Sequence, residues 1–373
     1  MLFQYEFVPH AMDKMQAFIQ FIVLDVWCQA DPAISFRLSL FDGCPDLKEV
    51  ITSFFYDDTK AGDAFYSAVE TIYDEFCRLS PKDRTQFRLW YHANNDIESS
   101  CGDPVGHHVV RYNDLEARFP ELQEPLYAFF KSLYSQELLG LTALKKHIGD
   151  LKEHYDQFVT VNIVGKCPFC GMTDLKSVYH SKREAYDHYF PKSIYPFNSI
   201  NFRNLAPACH ECNSTYKSTK DPAFKPKDKR KPGYPRKAFY PYSKKTNCVT
   251  VSVTLSHCDL ANLKADDVHL SFAPAAAKEE IETWIDVYGI EERYRAKFCD
   301  GDARAWLESF RIFNRLTNMS PQQFVVAVND EFTMNPFANL QFLKKAFVDA
   351  LHRQGALEAV VANCTTQKNT TVK

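Results

Sequence analysis

The chain has 373 residues, 45% of them hydrophobic and 14% aromatic. That is more core-forming material than a disordered protein carries, and more length than one small domain needs. Net charge is only -3, but it is unevenly spread. Residues 1–150 hold 13 Lys/Arg against 23 Asp/Glu, residues 151–245 hold 18 against 8, and residues 246–373 hold 13 against 16. A basic centre between acidic flanks points to a polyanion partner, or to flanks that dock on the centre by charge.

The N-terminal stretch lacks a basic, apolar and cleavage-site succession. The apolar run from Phe18 to Cys28 is too short to span a membrane and contains Asp25. A buried helix and a cytoplasmic protein are therefore expected. Residues 1–160 read as a helical N-terminal domain. Asp63–Leu79 and Leu122–Leu138 place apolar side chains at helical spacing, and Lys146–Phe158 continues the pattern. Between them, Asn94–Gly106 is rich in turn formers and reads as a loop. His92, His107 and His108 have no matched carboxylate or thiol nearby in sequence, and read as structural or surface residues.

Residues 161–245 read as a distinct core with a basic extension. Prolines 168, 191, 196 and 207 interrupt regular structure there. Residues 218–245 are basic, proline-rich and dotted with aromatics, which predicts an extended segment. It either tracks a phosphate backbone or wraps the domain as a solvated linker. Residues 246–373 form a third, mostly helical stretch with a short β segment. Alternating runs at 246–256 and 267–272 predict two strands. Helices are expected at Lys278–Tyr288, Ile290–Phe298, Ala303–Leu316 and Phe337–His352. Ser320-Pro-Gln-Gln323 reads as a capping box with proline at the first helical position. The tail after Asn363 reads as disordered. The fold class expected is α+β: a mostly helical chain around a small metal-stapled core.

Four of the 12 cysteines form two CxxC pairs, Cys167/Cys170 and Cys209/Cys212, with 38 residues between them. Each CxxC turn presents two thiolates to one ion, and two turns complete a tetrahedral structural zinc site. Such a site is closed, so it staples and does not catalyse. His210 lies inside the second pair as an alternative ligand. Buried thiols or a redox pair are the other readings of the four cysteines.

Between and just after the pairs stand Asp187-His188, Asn204-Leu205, Asn213 and Lys217. Phosphodiester hydrolysis needs a base for water and a cation for the charge that develops on phosphate. An imidazole supplies the first. A carboxylate with an amide oxygen suits Mg²⁺. Asn213 follows the last cysteine directly, so the zinc would fix its position.

Taken together, Cys167/Cys170, Asp187-His188-Tyr-Phe-Pro191-Lys-Ser193, Asn204-Leu205 and Cys209-His-Glu-Cys212-Asn213 with Lys217 resemble the HNH endonucleases of ββα-metal fold. The resemblance covers about one seventh of the chain, and only the combined spacing is specific. It implies His188 as general base and Asp187 and Asn213 as ligands of a catalytic Mg²⁺ or Mn²⁺. Asn204 would brace the loop and orient His188. Lys217 would contact phosphate, with Lys192 and Arg183 as further substrate contacts. His180, upstream of Asp187, reads more simply as an ordinary strand residue. The products implied carry a 5′-phosphate and a 3′-hydroxyl. The wording around Asp187–Lys217 is also similar to the nuclease subunit of Septu-type anti-phage systems, which works beside an ATPase. The stretch Trp284–Tyr294 looks like the helical region that often comes after such cores. The long N-terminal region departs from the short members of that group.

The resemblance thus implies a DNA-cutting defence nuclease with an ATPase partner chain, since no P-loop motif is present here. Double-strand cutting by a one-site chain would favour a homodimer. Two other readings stay open: a catalytically silent zinc-dependent nucleic-acid-binding module, and an RNA-cutting toxin nuclease.

Overall fold

A computed structural model describes residues 1–56, 59–228, 233–245, 248–260 and 262–357. The middle of the basic extension at 229–232, the start of the strand expected from 246, and the tail after Asn363 lie outside the described residues. The protein is mostly helical with small antiparallel sheets, an α+β composition. Among the described residues, no helix is long and apolar enough to cross a membrane. Packing divides the chain into two compact units. The smaller comprises Met1–Gln4, Lys166–Asp174 and Lys245–Lys373; the larger comprises Tyr5–Gly165 and Leu175–Lys244.

The larger unit is built on helices. The apolar run near the N-terminus is helical and buried, as its composition predicts: Asp13–Phe21 continues into a wider turn at Ile22–Trp27. Trp27 stacks on Phe76, meets the edge of Phe129, and donates its indole N–H to the Val69 carbonyl at 3.0 Å. That bond satisfies the indole's one polar atom, so the whole ring can be buried. The helix expected at Asp63–Leu79 runs Lys60–Cys77.

Three expectations need correction. The stretch expected as one helix at Leu122–Leu138 is two, Pro120–Ser132 and Gln136–Leu139, because Ser135 caps the second by accepting from Leu138 N–H at 3.2 Å. The stretch expected as one helix at Lys146–Phe158 is two, Thr142–Ile148 and Leu151–Val161. Gly149 takes a positive φ of 75°, and Asp150 caps the second helix by accepting from Lys152 N–H at 2.7 Å. The Asn94–Gly106 loop also holds a short helix, Ile97–Gly102, because the Asp96 side chain accepts from Ser99 N–H and nucleates it.

Strands β1 (Ala185–His188) and β2 (Leu205–Ala208) pair antiparallel, with Asp187 opposite Ala206 and His188 opposite Leu205. A seven-residue helix, Glu211–Lys217, comes soon after β2. The basic extension then wraps the larger unit. Strands β3 (Phe224–Lys225) and β4 (Tyr234–Pro235) pair within it. Asp221 latches its start: the carboxylate accepts from Tyr195 O–H at 2.6 Å and from Ala223 N–H at 2.9 Å. Tyr242 O–H closes its far end on the Leu205 carbonyl at 2.5 Å.

In the smaller unit, β5 (Thr250–Leu255) and β6 (Val268–Ala273) pair antiparallel within the two stretches expected to be strands. Helices Lys278–Tyr288, Ile290–Cys299 and Gly301–Thr317 come next, close to their expected bounds. Ser320 and Gln323 form the expected capping box, each side chain bonding the other's backbone N–H, with Pro321 at the first position. The helix expected at Phe337–His352 begins only at Gln341, because Asn339 and Leu340 take positive φ of 47° and 59°, and it runs to Arg353. Arg353 and Gln354 donate to the Val253 and Leu255 carbonyls of β5.

Candidate metal centre and active site

The ligand atoms of Cys167, Cys170, Cys209 and Cys212 all lie within 4.8 Å of one another, and all four residues are buried. Tetrahedral zinc with Zn–S near 2.3 Å needs sulfurs about 3.8 Å apart, so this donor set fits such an ion. His210 is exposed and outside the group. Local backbone shapes each turn. Gly171 N–H bonds the Cys167 carbonyl at 2.7 Å, with Gly171 at φ 67°. A side chain there would collide with Leu2, at 2.4 Å from its Cδ1. In the second turn Cys212 N–H points at the Cys209 sulfur at 3.5 Å, and Asn213 N–H bonds the Cys209 carbonyl at 3.0 Å. N–H groups aimed at sulfur favour the thiolate form that a metal needs.

The Glu211–Lys217 helix leaves this turn. Its last residue, Lys217, is fully buried. The Lys217 ammonium donates to Asp187 Oδ1 and to the His188 carbonyl, each at 2.8 Å. Lys217, expected at a phosphate, is therefore placed inside, tying the helix to β1. Asp187 is 2% exposed, and its Oδ2 has no hydrogen-bond partner among the described residues. Burial raises the Asp187 carboxyl above its usual range, and the Lys217 charge opposes that shift. Asn213 sits four residues before Lys217 on the same helix and is half-buried.

Asp187 and His188 meet different partners, as alternation along a strand requires. The His188 imidazole packs edge-on against Tyr134, with ring centres 5.0 Å apart. Nε2 lies 2.9 Å from the Ser199 carbonyl oxygen. A carbonyl can only accept, so Nε2 carries the hydrogen and Nδ1 keeps the lone pair. Burial depresses His188 to about 3, with the Lys192 and Lys217 charges in the same direction and the Ser199 bond against it. The ring is thus neutral near pH 7.

Asn204 is completely buried and clamps the chain just after His188. Its Oδ1 accepts from Phe190 N–H at 2.8 Å, while its Nδ2 donates to the Phe190 and Asn198 carbonyls at 3.0 and 3.3 Å. The segment that supplies Ser199 is thereby held to the strand that supplies His188.

Arg183 and Lys192 both gather at Tyr134. Lys192 stands 5.7 Å from its ring centre, and the Arg183 charge acts on its phenol. Burial, partly offset by Arg183, pushes the Tyr134 hydroxyl up to about 12. Arg183 also donates to the Glu184 carbonyl at 2.9 Å and lies over Tyr186. His180 is exposed and bonds Ser177. Tyr134 carried no sequence signal, because it belongs to no motif and lies 54 residues before His188.

No family model matches the chain, and no solved structure matches it. Over 64 residues the chain is 36% identical to the Septu protein PtuB of Bacillus thuringiensis, a stretch covering 16% of this chain and 24% of that protein. The chain thus spans about a quarter of the length of the curated relative it matches. This partial similarity supports a Septu-related link.

Proposed function

We propose that this chain is a metal-dependent HNH endonuclease that hydrolyses phosphodiester bonds of DNA and serves as an anti-phage defence effector. The observation that carries the reading is the state of His188. Its ring is neutral and fixed by Ser199, with the Nδ1 lone pair available, on the same strand as a buried carboxylate that has an unpartnered oxygen. The succession of β1, β2 and the Glu211–Lys217 helix beside a four-cysteine cluster supports a zinc-stapled ββα core. The Septu similarity supports the defence role.

Nδ1 of His188 takes a proton from the attacking water. The new P–O bond forms as the bond from phosphorus to the 3′ oxygen breaks, leaving a 5′-phosphate and a 3′-hydroxyl protonated from solvent. The negative charge of an arriving phosphate counteracts the depression of His188 and strengthens it as a base. Asp187 Oδ2 and the Asn213 amide oxygen are the donors suited to a hard divalent ion, Mg²⁺ or Mn²⁺. When bound, that ion supplies positive charge to the phosphate and the leaving oxygen. Lys217 opposes the protonation of Asp187 that burial favours, and holds the carboxylate in place. Asn204 holds the loop that orients His188. An ATPase partner chain and a homodimer suited to double-strand cutting belong to the same reading.

The test is an assay with Mg²⁺ or Mn²⁺ on plasmid, single-stranded DNA and RNA, with zinc measured on the same samples. His188→Ala is expected to lose roughly 10²–10⁴-fold of the cleavage rate, the usual contribution of a general base, with zinc content intact. Unchanged cutting by His188→Ala sinks the assignment. Binding without cutting in every metal supports a silent binding module instead, and RNA-only cutting supports a ribonuclease.

A further inference from the structure

The larger unit holds a cavity of about 510 Å³ beside the helix that carries Lys152. Ligand sites span roughly 300–1,000 Å³, a range that includes one nucleotide and excludes a duplex. Its wall includes Tyr134, Lys145, Asp150, Lys152 and Arg183. Tyr134 is also the ring packed edge-on against His188, so one aromatic side chain is shared by the cavity and the site. The lining carries three cations and one anion. Two of those cations are held by carboxylates: Lys145 by Asp150 at 2.6 Å and Lys152 by Asp156 at 2.5 Å. Both pairs are partly solvent-exposed, and such pairs contribute little to stability. An incoming phosphate can therefore share or displace the carboxylates.

An aromatic wall with several cations is the chemistry that holds a nucleotide of a single strand: the ring meets base or sugar and the cations meet phosphate. We infer that this cavity receives one nucleotide of the substrate strand, flanking the phosphodiester presented to His188. Lys145, Lys152 and Arg183 meet its flanking phosphates and Tyr134 meets its base or sugar. The inference rests on the nuclease reading and extends it, because it gives part of the N-terminal helical region a role in holding substrate.

The experiment is fluorescence anisotropy of the full chain with a labelled single-stranded oligonucleotide, in Ca²⁺, over a series of salt concentrations. The double variant Lys145→Gln/Lys152→Gln is compared with Lys146→Gln/Lys48→Gln. The latter pair removes as much charge from exposed lysines that do not line the cavity. The cavity variant is expected to bind about tenfold more weakly. Its log–log salt slope should shrink by about 1.4, the value for two phosphate contacts to a single strand. Unchanged affinity in the cavity variant, or an equal loss in the control variant, overturns the inference. A free 5′-mononucleotide offers the same chemistry. If it binds wild type and is lost in the cavity variant while oligonucleotide binding is not, the cavity serves a free nucleotide and the substrate assignment fails. Should His188→Ala cut like wild type, the nuclease reading falls, and the oligonucleotide comparison still decides what the cavity binds.

Discussion

The two CxxC turns have the same sequence spacing and different surroundings. The first is framed by aromatic side chains of its own unit. Trp284 donates to the Phe169 carbonyl at 2.7 Å, Tyr294 donates to the Cys170 carbonyl at 2.9 Å, and Phe169 stacks on Tyr288 with ring centres 4.7 Å apart. The second runs straight into the helix that carries Asn213 and Lys217, and so into the Asp187 carboxylate. One turn is an anchor held by rings and backbone bonds. The other is a lever whose far end is an ionisable group. The same CxxC motif therefore does two jobs, and the segment that each turn leads into decides which.

The largest expected effect comes from removing the metal that the turns are expected to share. Cys170→Ser, or a strong chelator, should release zinc and unfold the region around both turns, since structural zinc contributes on the order of 10–16 kcal/mol in small zinc domains. Zinc stoichiometry and the melting transition, followed together, check this. An unchanged melting temperature at zero zinc would show that the cysteines pack without an ion.

Next is the lever. Lys217→Met leaves Asp187 buried without its counter-charge, which costs about 3–5 kcal/mol. Urea denaturation measures the loss. Asp187→Leu combined with Lys217→Met should recover much of it, because the charge is removed and not stranded. A double variant as unstable as Lys217→Met alone would show that the pair matters for shape and not for charge.

The smallest effect belongs to the anchor. Trp284→Phe keeps a ring but strands the Phe169 carbonyl, at a cost of about 1–3 kcal/mol. It should leave zinc stoichiometry at its wild-type value. A Trp284→Phe protein that loses zinc would erase the distinction between the two turns, since the anchor would then also set the ion.

Sequence spacing carried the parts of this arrangement that repeat over a few residues. CxxC turns, the capping box at Ser320 and the strand alternation at 250–255 are local patterns with local causes. The same holds for the adjacency of Asp187 and His188. The pairing of Lys217 with Asp187 was not legible. It depends on the helix that ends at Lys217, 29 residues beyond His188, lying against β1, and a lysine near a motif reads as a phosphate contact until its burial is known. Tyr134 was not legible for a related reason. Its role comes from a tertiary contact, and a tyrosine in a mixed segment announces nothing. The break at Gly149 could have been read, since glycine followed by aspartate is a stop and a cap in succession. The uninterrupted apolar spacing around it concealed the signal.

The wrap of the basic extension bears on when the surroundings of Asp187 and His188 are completed during synthesis. The Phe239 carbonyl accepts from Tyr189, Pro241 pairs with the backbone of Tyr5, and Tyr242 closes on Leu205 beside the Asp187–His188 strand. These bonds cannot form until the ribosome has made residues well past His188. At about 5–20 residues per second, the interval from His188 to Tyr242 is roughly 3–10 s. A nascent chain therefore carries Asp187 and His188 for some seconds in an unfinished enclosure, and translation itself delays the completion of their surroundings.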